Sequence, residues 1–149
     1  MKNRSDIKLY NILFPIWMLM ILPTAWIAVL PLNFIVDSLV LVICSKKLGI
    51  WVDGIYKKHI LKVWIFGFLA DLIGALYIFI IMWGFELDTQ PDDIRITLPA
   101  LLISAVLILV FNFFISFKDI DKKSRFKMAF IFALVTAPYT FLIPLSWIY

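Results

Sequence analysis

The chain has 149 residues, of which 64% are hydrophobic, and its mean hydropathy is +1.01. A soluble domain is typically about half apolar, and long apolar blocks indicate membrane-spanning helices. The composition therefore excludes an ordinary soluble domain and predicts one all-α integral membrane domain over residues 1–149. The single cysteine excludes an internal disulfide. The net charge of +4 belongs to bases beside apolar segments, which argues against a nucleic-acid partner.

Residues 9–45 form one apolar block. As a single helix the block would be about 55 Å long, which is too long for one crossing of a hydrocarbon layer of about 30 Å. The prolines that interrupt it are Pro15, Pro23 and Pro31. Since proline favours a kink or a helix start, we expect a hairpin of two segments, about 9–29 and 31–46, turning near Pro31-Leu32-Asn33. A turn nearer Pro23-Thr24 is the alternative, with a re-entrant first segment. The apolar run continues past a candidate signal-peptide cleavage site, which favours a retained anchor.

The first substantial loop, residues 46–62, mixes lysines with aromatic and aliphatic residues. This mixture is typical of a segment that lies on the membrane surface. The lysines predicted to contact lipid headgroups are Lys46, Lys47, Lys57, Lys58 and Lys62. We expect His59, in the same loop, to be solvated or lipid-facing, because the chain has no second histidine to complete a relay or a metal site.

Three further membrane segments are predicted, at about 60–84, 94–117 and 126–148. In the first of them, small residues and one acid share a helical face: Gly67, Ala70, Asp71, Gly74 and Ala75. Small residues let another helix approach closely, so this face and its acid should point into the bundle. The prolines of the last segment, Pro138 and Pro144, are expected to bend it.

The distribution of charge predicts how the chain crosses the membrane. Thirteen of the 14 basic residues fall in the N-terminal region and in the loops at 46–62 and 118–127, whereas the 85–95 loop holds one base and four acids. The positive-inside rule then places the N-terminus and the basic loops in the cytoplasm and the C-terminus outside, in the cell (plasma or inner) membrane. An inside start and an outside end require an odd number of crossings. We therefore expect a small polytopic bundle of five segments.

Two acids fall inside the predicted membrane segments. Asp37 lies nine positions before Lys46, and Asp71 lies nine positions after Lys62. Nine residues of helix span ~13 Å, which places both acids near the middle of the hydrocarbon layer. A charged aspartate there costs at least ~2.5–3.5 kcal/mol, and no lysine or arginine lies at that depth. Protonation, a shared cation, or hydrogen bonds to other helices would reduce the cost. The polar residues expected to complete this layer are Asn33, Asn112 and Thr136.

The pattern favours a small multi-pass transport protein, a cation- or proton-coupled carrier or channel subunit, in which Asp37 and Asp71 take up the ion. Five short helices enclose little volume, so we expect a homo-oligomer in contact with membrane lipid. The alternative is a non-catalytic accessory, assembly or immunity-type subunit whose small-residue faces bind a partner's helices.

A remote alternative is an intramembrane aspartyl protease, because two membrane aspartates are its minimum requirement. The residues that flank Asp37 and Asp71 do not match the motifs expected of presenilin-like or prepilin-peptidase-like enzymes. The sequence also has no phosphate loop, nucleophile elbow, dinucleotide fingerprint or metal-binding Cys/His set. We therefore expect no enzymatic activity, no cofactor and no metal site.

Overall fold

The described part of the chain is a bundle of four helical segments. The computed structural model describes residues 26–51, 54–84 and 93–143. Its elements are α1 (Trp26–Lys47), α2 (Ile55–Gly84), α3 (Ile94–Phe111), a π-helix (Asn112–Ser116), α4 (Lys122–Val135) and a 3-10 helix (Tyr139–Leu142). Of the described residues 86% are helical and none lies in a strand, which confirms the predicted all-α class. Each helix contacts the next along the chain, and α1 also contacts α4, which closes the ring.

Four stretches of the described residues are long and apolar enough to cross a membrane: Ile27–Lys47, Ile55–Gly84, Ile94–Ser116 and Lys122–Leu142. Large apolar side chains on their outer surfaces are exposed, such as Leu102 (56%) and Phe114 (65%). In lipid such side chains carry no penalty, so the bundle fits an integral membrane protein. Most of the predicted segment at 9–29 lies outside the described residues. A fifth crossing and the orientation in the membrane therefore stay predictions.

The predicted turn at Pro31-Leu32-Asn33 is wrong. Helix α1 runs unbroken from Trp26 to Lys47 with Pro31 inside it. Pro31 costs the helix one backbone bond, the one that the Ile27 carbonyl would accept. The Trp64 indole of α2 donates a hydrogen bond of 2.9 Å to the Leu30 carbonyl, one residue before the proline, and so holds this part of α1 against α2. The alternative turn, at Pro23-Thr24, lies outside the described residues.

Helix α1 ends where the chain adopts a conformation that favours glycine. Gly49 has φ +67°, and its N–H bonds the Lys46 carbonyl at 3.2 Å. The N–H of Ile50 bonds the Ser45 carbonyl at 3.0 Å. These two bonds form a Schellman motif, which satisfies carbonyls at the helix end. The short connection that follows lets α2 return antiparallel to α1, and α2 begins at Ile55, five residues before its predicted start.

The last membrane segment is broken near its middle. Helix α4 begins at Lys122 and ends at Val135, whereas a segment at 126–148 was predicted. The break precedes Pro138, because proline cannot supply the N–H that a continued helix needs and restricts the residue before it. The chain then forms the 3-10 helix, whose Phe141 packs against the Ala75 and Ala100 side chains of α2 and α3. Pro144 lies outside the described residues.

The small-residue face of α2 is buried against its neighbours, as predicted. Its members are Gly67, Ala70, Asp71, Gly74 and Ala75, and all of them are buried. The Ser104 hydroxyl of α3 donates a hydrogen bond of 3.1 Å to the Ala70 carbonyl. Contact of a side chain with the backbone of the neighbouring helix requires the close approach that small residues permit.

The start of α4 depends on a capping carboxylate, which gives a first prediction. Asp121 accepts a hydrogen bond of 2.9 Å from the Ser124 N–H, and this bond lowers the pKa of the Asp121 carboxyl. Because the pKa is lower in the folded state, the cap stabilises the fold fully above the unfolded pKa and is lost as pH falls through the folded value. We expect Asp121→Ala to lower the melting temperature at neutral pH, and the difference from wild type to vanish in acid. Thermal unfolding in detergent at several pH values measures this, and a difference that persists in acid would contradict it.

Candidate functional site

A cavity of ≈ 30 Å³ lies inside the bundle, where polar side chains from three helical segments meet. Its lining residues are Asn33, Val36 and Asp37 of α1, Gly67 and Asp71 of α2, and Thr136 at the end of α4. Four of the five residues predicted for the ion site therefore surround one cavity. Both acids are 4% exposed.

Helical spacing explains why these side chains converge. Asn33 and Asp37 are four residues apart on α1, so they share a face, and the same spacing joins Gly67 and Asp71 on α2. Because α1 and α2 are antiparallel, residues at equal distances from the loop between them meet at the same depth. Gly67 provides the space: a Cβ atom built on it would lie 3.5 Å from Asp37 Oδ2.

The two acids have no cationic partner within the described part of the chain. The ion pairs there join Lys58 to Asp119 and Arg95 to Asp93, both at helix ends. Asp71 Oδ1 is buried and has no hydrogen-bond partner among the described residues. Buried polar atoms are nearly always bonded, so this oxygen is an acceptor that a proton, a cation or a water molecule would satisfy.

The end of α4 adds further oxygen atoms to the cavity. Thr136 is the C-cap of α4, and its hydroxyl donates a 2.8 Å hydrogen bond to the Phe132 carbonyl, which leaves the lone pairs of the hydroxyl oxygen free to accept. A helix C-terminus carries a partial negative charge and favours cations. Helices broken inside a membrane use such ends and unwound carbonyls to coordinate Na⁺ or H⁺ in many transporters. The cavity thus presents carboxylate, amide and hydroxyl oxygens, ligands typical of hard cations.

Asn112 is the one predicted site residue that does not line this cavity. It lies six positions before Lys118, whereas each acid is nine positions from its lysine. Six residues of helix span only ~9 Å, so Asn112 is closer to the end of the bundle. It begins the π-helix, and its Oδ1 is buried without a partner among the described residues, as is Ser116 Oγ.

The five lysines predicted to contact headgroups gather at one end of the bundle, where α1 ends and α2 begins. We call this the basic end, defined by residues 45–51, 54–62 and 116–127. Lys58 pairs with Asp119 at 3.1 Å, and Lys46 lies 5.3 Å from the ring centroid of the exposed Trp51. Their contact with lipid stays a prediction.

The expectation that His59 is solvated or lipid-facing is wrong. His59 lies in α2, is 2% exposed, and places Nδ1 2.6 Å from the Ser116 carbonyl oxygen. The sequence reasoning missed it because the helix was predicted to start at residue 60. The spacing of His59, Val63, Gly67 and Ala70 at intervals of three and four was the available signal, since these positions share the buried face.

The geometry supports uptake of a proton or one small cation. Two carboxylates that face one cavity repel each other unless a proton or cation is shared between them. No group of three or more potential metal-ligating His, Cys, Asp or Glu side chains occurs among the described residues.

No protein family, curated protein or solved structure matches this chain.

Proposed function

We propose that this protein is a small multi-pass transporter or channel subunit of the cell membrane, which moves a proton or a small monovalent cation bound between Asp37 and Asp71. The observation that carries the proposal is the convergence of both acids on one cavity of ≈ 30 Å³. Asn33 and Thr136 complete the oxygen ligands. The positive-inside rule makes the basic end cytoplasmic, and a homo-oligomer supplies the volume that one bundle lacks.

The size of the cavity limits what it binds. A buried water needs at least ~10–15 Å³ of such space, so ≈ 30 Å³ suits one or two waters, a hydronium or a dehydrated cation. A larger organic substrate does not fit in this conformation. Because protons and cations would neutralise the same two carboxylates, we expect them to compete, with acid pH displacing the cation.

The other functional hypotheses have weaker support. An aspartyl protease must hold a peptide and a water molecule between its acids, and this cavity has no room for a peptide. An accessory subunit was expected to bind partners through small-residue faces. The small residues of α2, including Gly67 and Gly74, are instead buried within the bundle. A stoichiometric foreign partner after purification in mild detergent would favour the accessory role.

Flux through proteoliposomes tests the proposal. The full-length protein would be reconstituted into vesicles that contain either a pH-sensitive dye or a dye for the added cation, and Li⁺, Na⁺ or K⁺ would be added outside in turn. We expect a proton or cation flux above that of protein-free vesicles, carried by one of these ions. Rates equal to those of protein-free vesicles for protons and for all three cations would refute the proposal.

Filling the cavity gives a sharper prediction. The Cβ of a Gly67→Ala variant would lie 3.5 Å from Asp37 Oδ2, an ordinary contact, so we expect the variant to fold. Its methyl group would occupy most of a cavity of ≈ 30 Å³ and displace the ion, so flux should fall by at least about tenfold. The matched control is Gly84→Ala, whose Cβ would meet Ile80 Cγ2 at 3.7 Å and no other atom of the described residues. Normal flux in a well-folded Gly67→Ala variant would contradict this use of the cavity.

A further inference from the structure

A second buried polar cluster borders the basic end, separate from the acid pair. It comprises His59 of α2 with Asn112 and Ser116 of the π-helix, and all three are at most 2% exposed. Asn112 Oδ1 and Ser116 Oγ have no hydrogen-bond partner among the described residues. A π-helix is rare and occurs often at functional sites. Buried, unsatisfied oxygens of this kind are usual positions for internal water.

The hydrogen bond of the His59 ring shows which of its two nitrogens carries the proton. A carbonyl oxygen only accepts, so the 2.6 Å contact with Ser116 O places a proton on His59 Nδ1. In the neutral ring, Nε2 is then an unprotonated acceptor. The hydrogen bond to the Ser116 carbonyl occupies Nδ1, so Nε2 is the ring atom that can take up a proton.

A pocket of ≈ 490 Å³ reaches this histidine from the basic end. Its walls include Lys58, Asp119 and Asp121, beside aliphatic residues. Lys58 bonds Asp119 and holds the pKa of that carboxyl below its ordinary value, so Asp119 is ionised at neutral pH. The charged groups near the ring are thus Lys58 and Lys62 on its own helix and Asp119 from the α3–α4 connection. Asp119 would stabilise a protonated His59, while the two lysines oppose it.

Apolar side chains separate this cluster from the acid cavity. Val63 lies between His59 and Asp71 on α2, and Ile108 lies between Ser104 and Asn112 on α3. Both are 1% exposed. Val63 and Ile108 therefore form an apolar layer between the two polar clusters, which an ion would cross only if the layer moved or hydrated.

We propose that His59 is a proton-exchange site, reached from the basic-end pocket, that supplies protons to the Asp37–Asp71 cavity. The second half of this inference, the delivery of protons to the two acids, rests on the proposed transport function. Nε2 takes up a proton through pocket water, and the imidazolium releases that proton from Nε2 to water held by Asn112 and Ser116. This restores the neutral ring with its proton on Nδ1. The apolar layer at Val63 and Ile108 is the barrier that the next step must cross.

The exchange itself can be observed without any flux. His59 is the only histidine in the chain, so ¹⁵N NMR of labelled imidazole in the full-length protein, with a histidine-free tag and in nanodiscs, reports one residue. We expect the ring to be Nδ1-protonated at high pH and to take up a second proton at Nε2 as the pH falls. A ring that stays neutral down to the pH at which the protein unfolds would overturn the proposal.

The role in transport is tested with His59→Gln, which can still donate to the Ser116 carbonyl but cannot take up a proton. We expect proton flux to fall on the order of 10²-fold, as when a positioned proton donor is removed, and its pH dependence on the basic-end side to flatten. Cation affinity of the acid cavity, measured as cation-dependent thermal stabilisation, should not change. An unchanged flux and pH profile would overturn the role of His59 while leaving the Asp37–Asp71 proposal intact. Absence of flux in the wild type would refute transport, and the NMR titration would still decide whether His59 exchanges protons.

Discussion

Replacing Asp71 with asparagine is expected to reduce proton or cation flux to the level of protein-free vesicles. Asparagine keeps the size and shape of the side chain but has no negative charge and cannot bind and release a proton. We expect the same loss for Asp37→Asn, because both carboxylates line the cavity. Flux of each variant in proteoliposomes, normalised to the amount of reconstituted protein, measures the effect.

The thermal stability of the same variants should be equal to or higher than that of the wild type. A charged aspartate in the middle of the membrane costs at least ~2.5–3.5 kcal/mol, and Asp71 Oδ1 has no hydrogen-bond partner in the described part of the chain. The neutral amide that Asp71→Asn introduces is free of that cost, so the variant should be at least as stable as wild type. Loss of flux with retained stability distinguishes an ion site from a packing contact. Protonated acids that only join helices would give normal flux and reduced stability.

A control close to Asp37 is Ser38→Ala. Ser38 is its neighbour in sequence, but its hydroxyl bonds the Tyr56 hydroxyl at 2.8 Å and does not line the cavity. The variant should retain flux. Normal flux in both Asp37→Asn and Asp71→Asn would end the transport proposal, whatever the control shows.

The largest expected effect on folding is that of Gly74→Ala. Gly74 faces α3 and the 3-10 helix. A Cβ atom on it would overlap Ser104 Oγ and lie 3.0 Å from both the Ala100 carbonyl oxygen and Phe141 Cε2. The carbonyl belongs to the backbone, so relief requires α2 and α3 to separate. Overpacking of this kind typically costs about 1–3 kcal/mol, and occasionally more.

Unfolding of the Gly74→Ala variant in detergent, by heat or by titration with SDS, measures this destabilisation. The Gly84→Ala variant is again the control, because its added Cβ has one contact with the described part of the chain, at 3.7 Å. The comparison with Gly67→Ala is informative as well. We expect Gly67→Ala to lose flux and keep its stability, and Gly74→Ala to lose stability. A Gly74→Ala variant as stable as wild type would show that α2 and α3 have room for a methyl group at this contact.

The relative level of the two acids along the bundle could be predicted from the sequence, because the rise per residue of a helix is fixed. Counting nine residues from the nearest lysine placed Asp37 and Asp71 at one level, and both line one cavity. The same count identified Thr136, nine residues from Lys127. For Asn112, which is only six residues from Lys118, this count would have excluded the residue from the polar layer.

Helix boundaries were predicted less well, because prolines and charges only bias them. Pro31 reads as a turn, yet α1 passes through it, and the Trp64 indole bonds the adjacent carbonyl of Leu30. Pro138 is predicted to bend the last segment, yet α4 ends at Val135. A proline removes one backbone bond wherever it lies, but whether the helix continues past it also depends on the packing around it, which no local pattern contains.

The sequence by itself determined that this is a helical membrane protein with two acids at matched depth, since apolar length and helical rise are properties of single segments. Only the tertiary structure decided that both acids, Asn33 and Thr136 share a cavity, and that His59 is buried against Ser116. Depth follows from counting along one helix. Which faces meet depends on how four helices rotate and pack against each other, and that is set by close contacts such as Gly74 against Ser104.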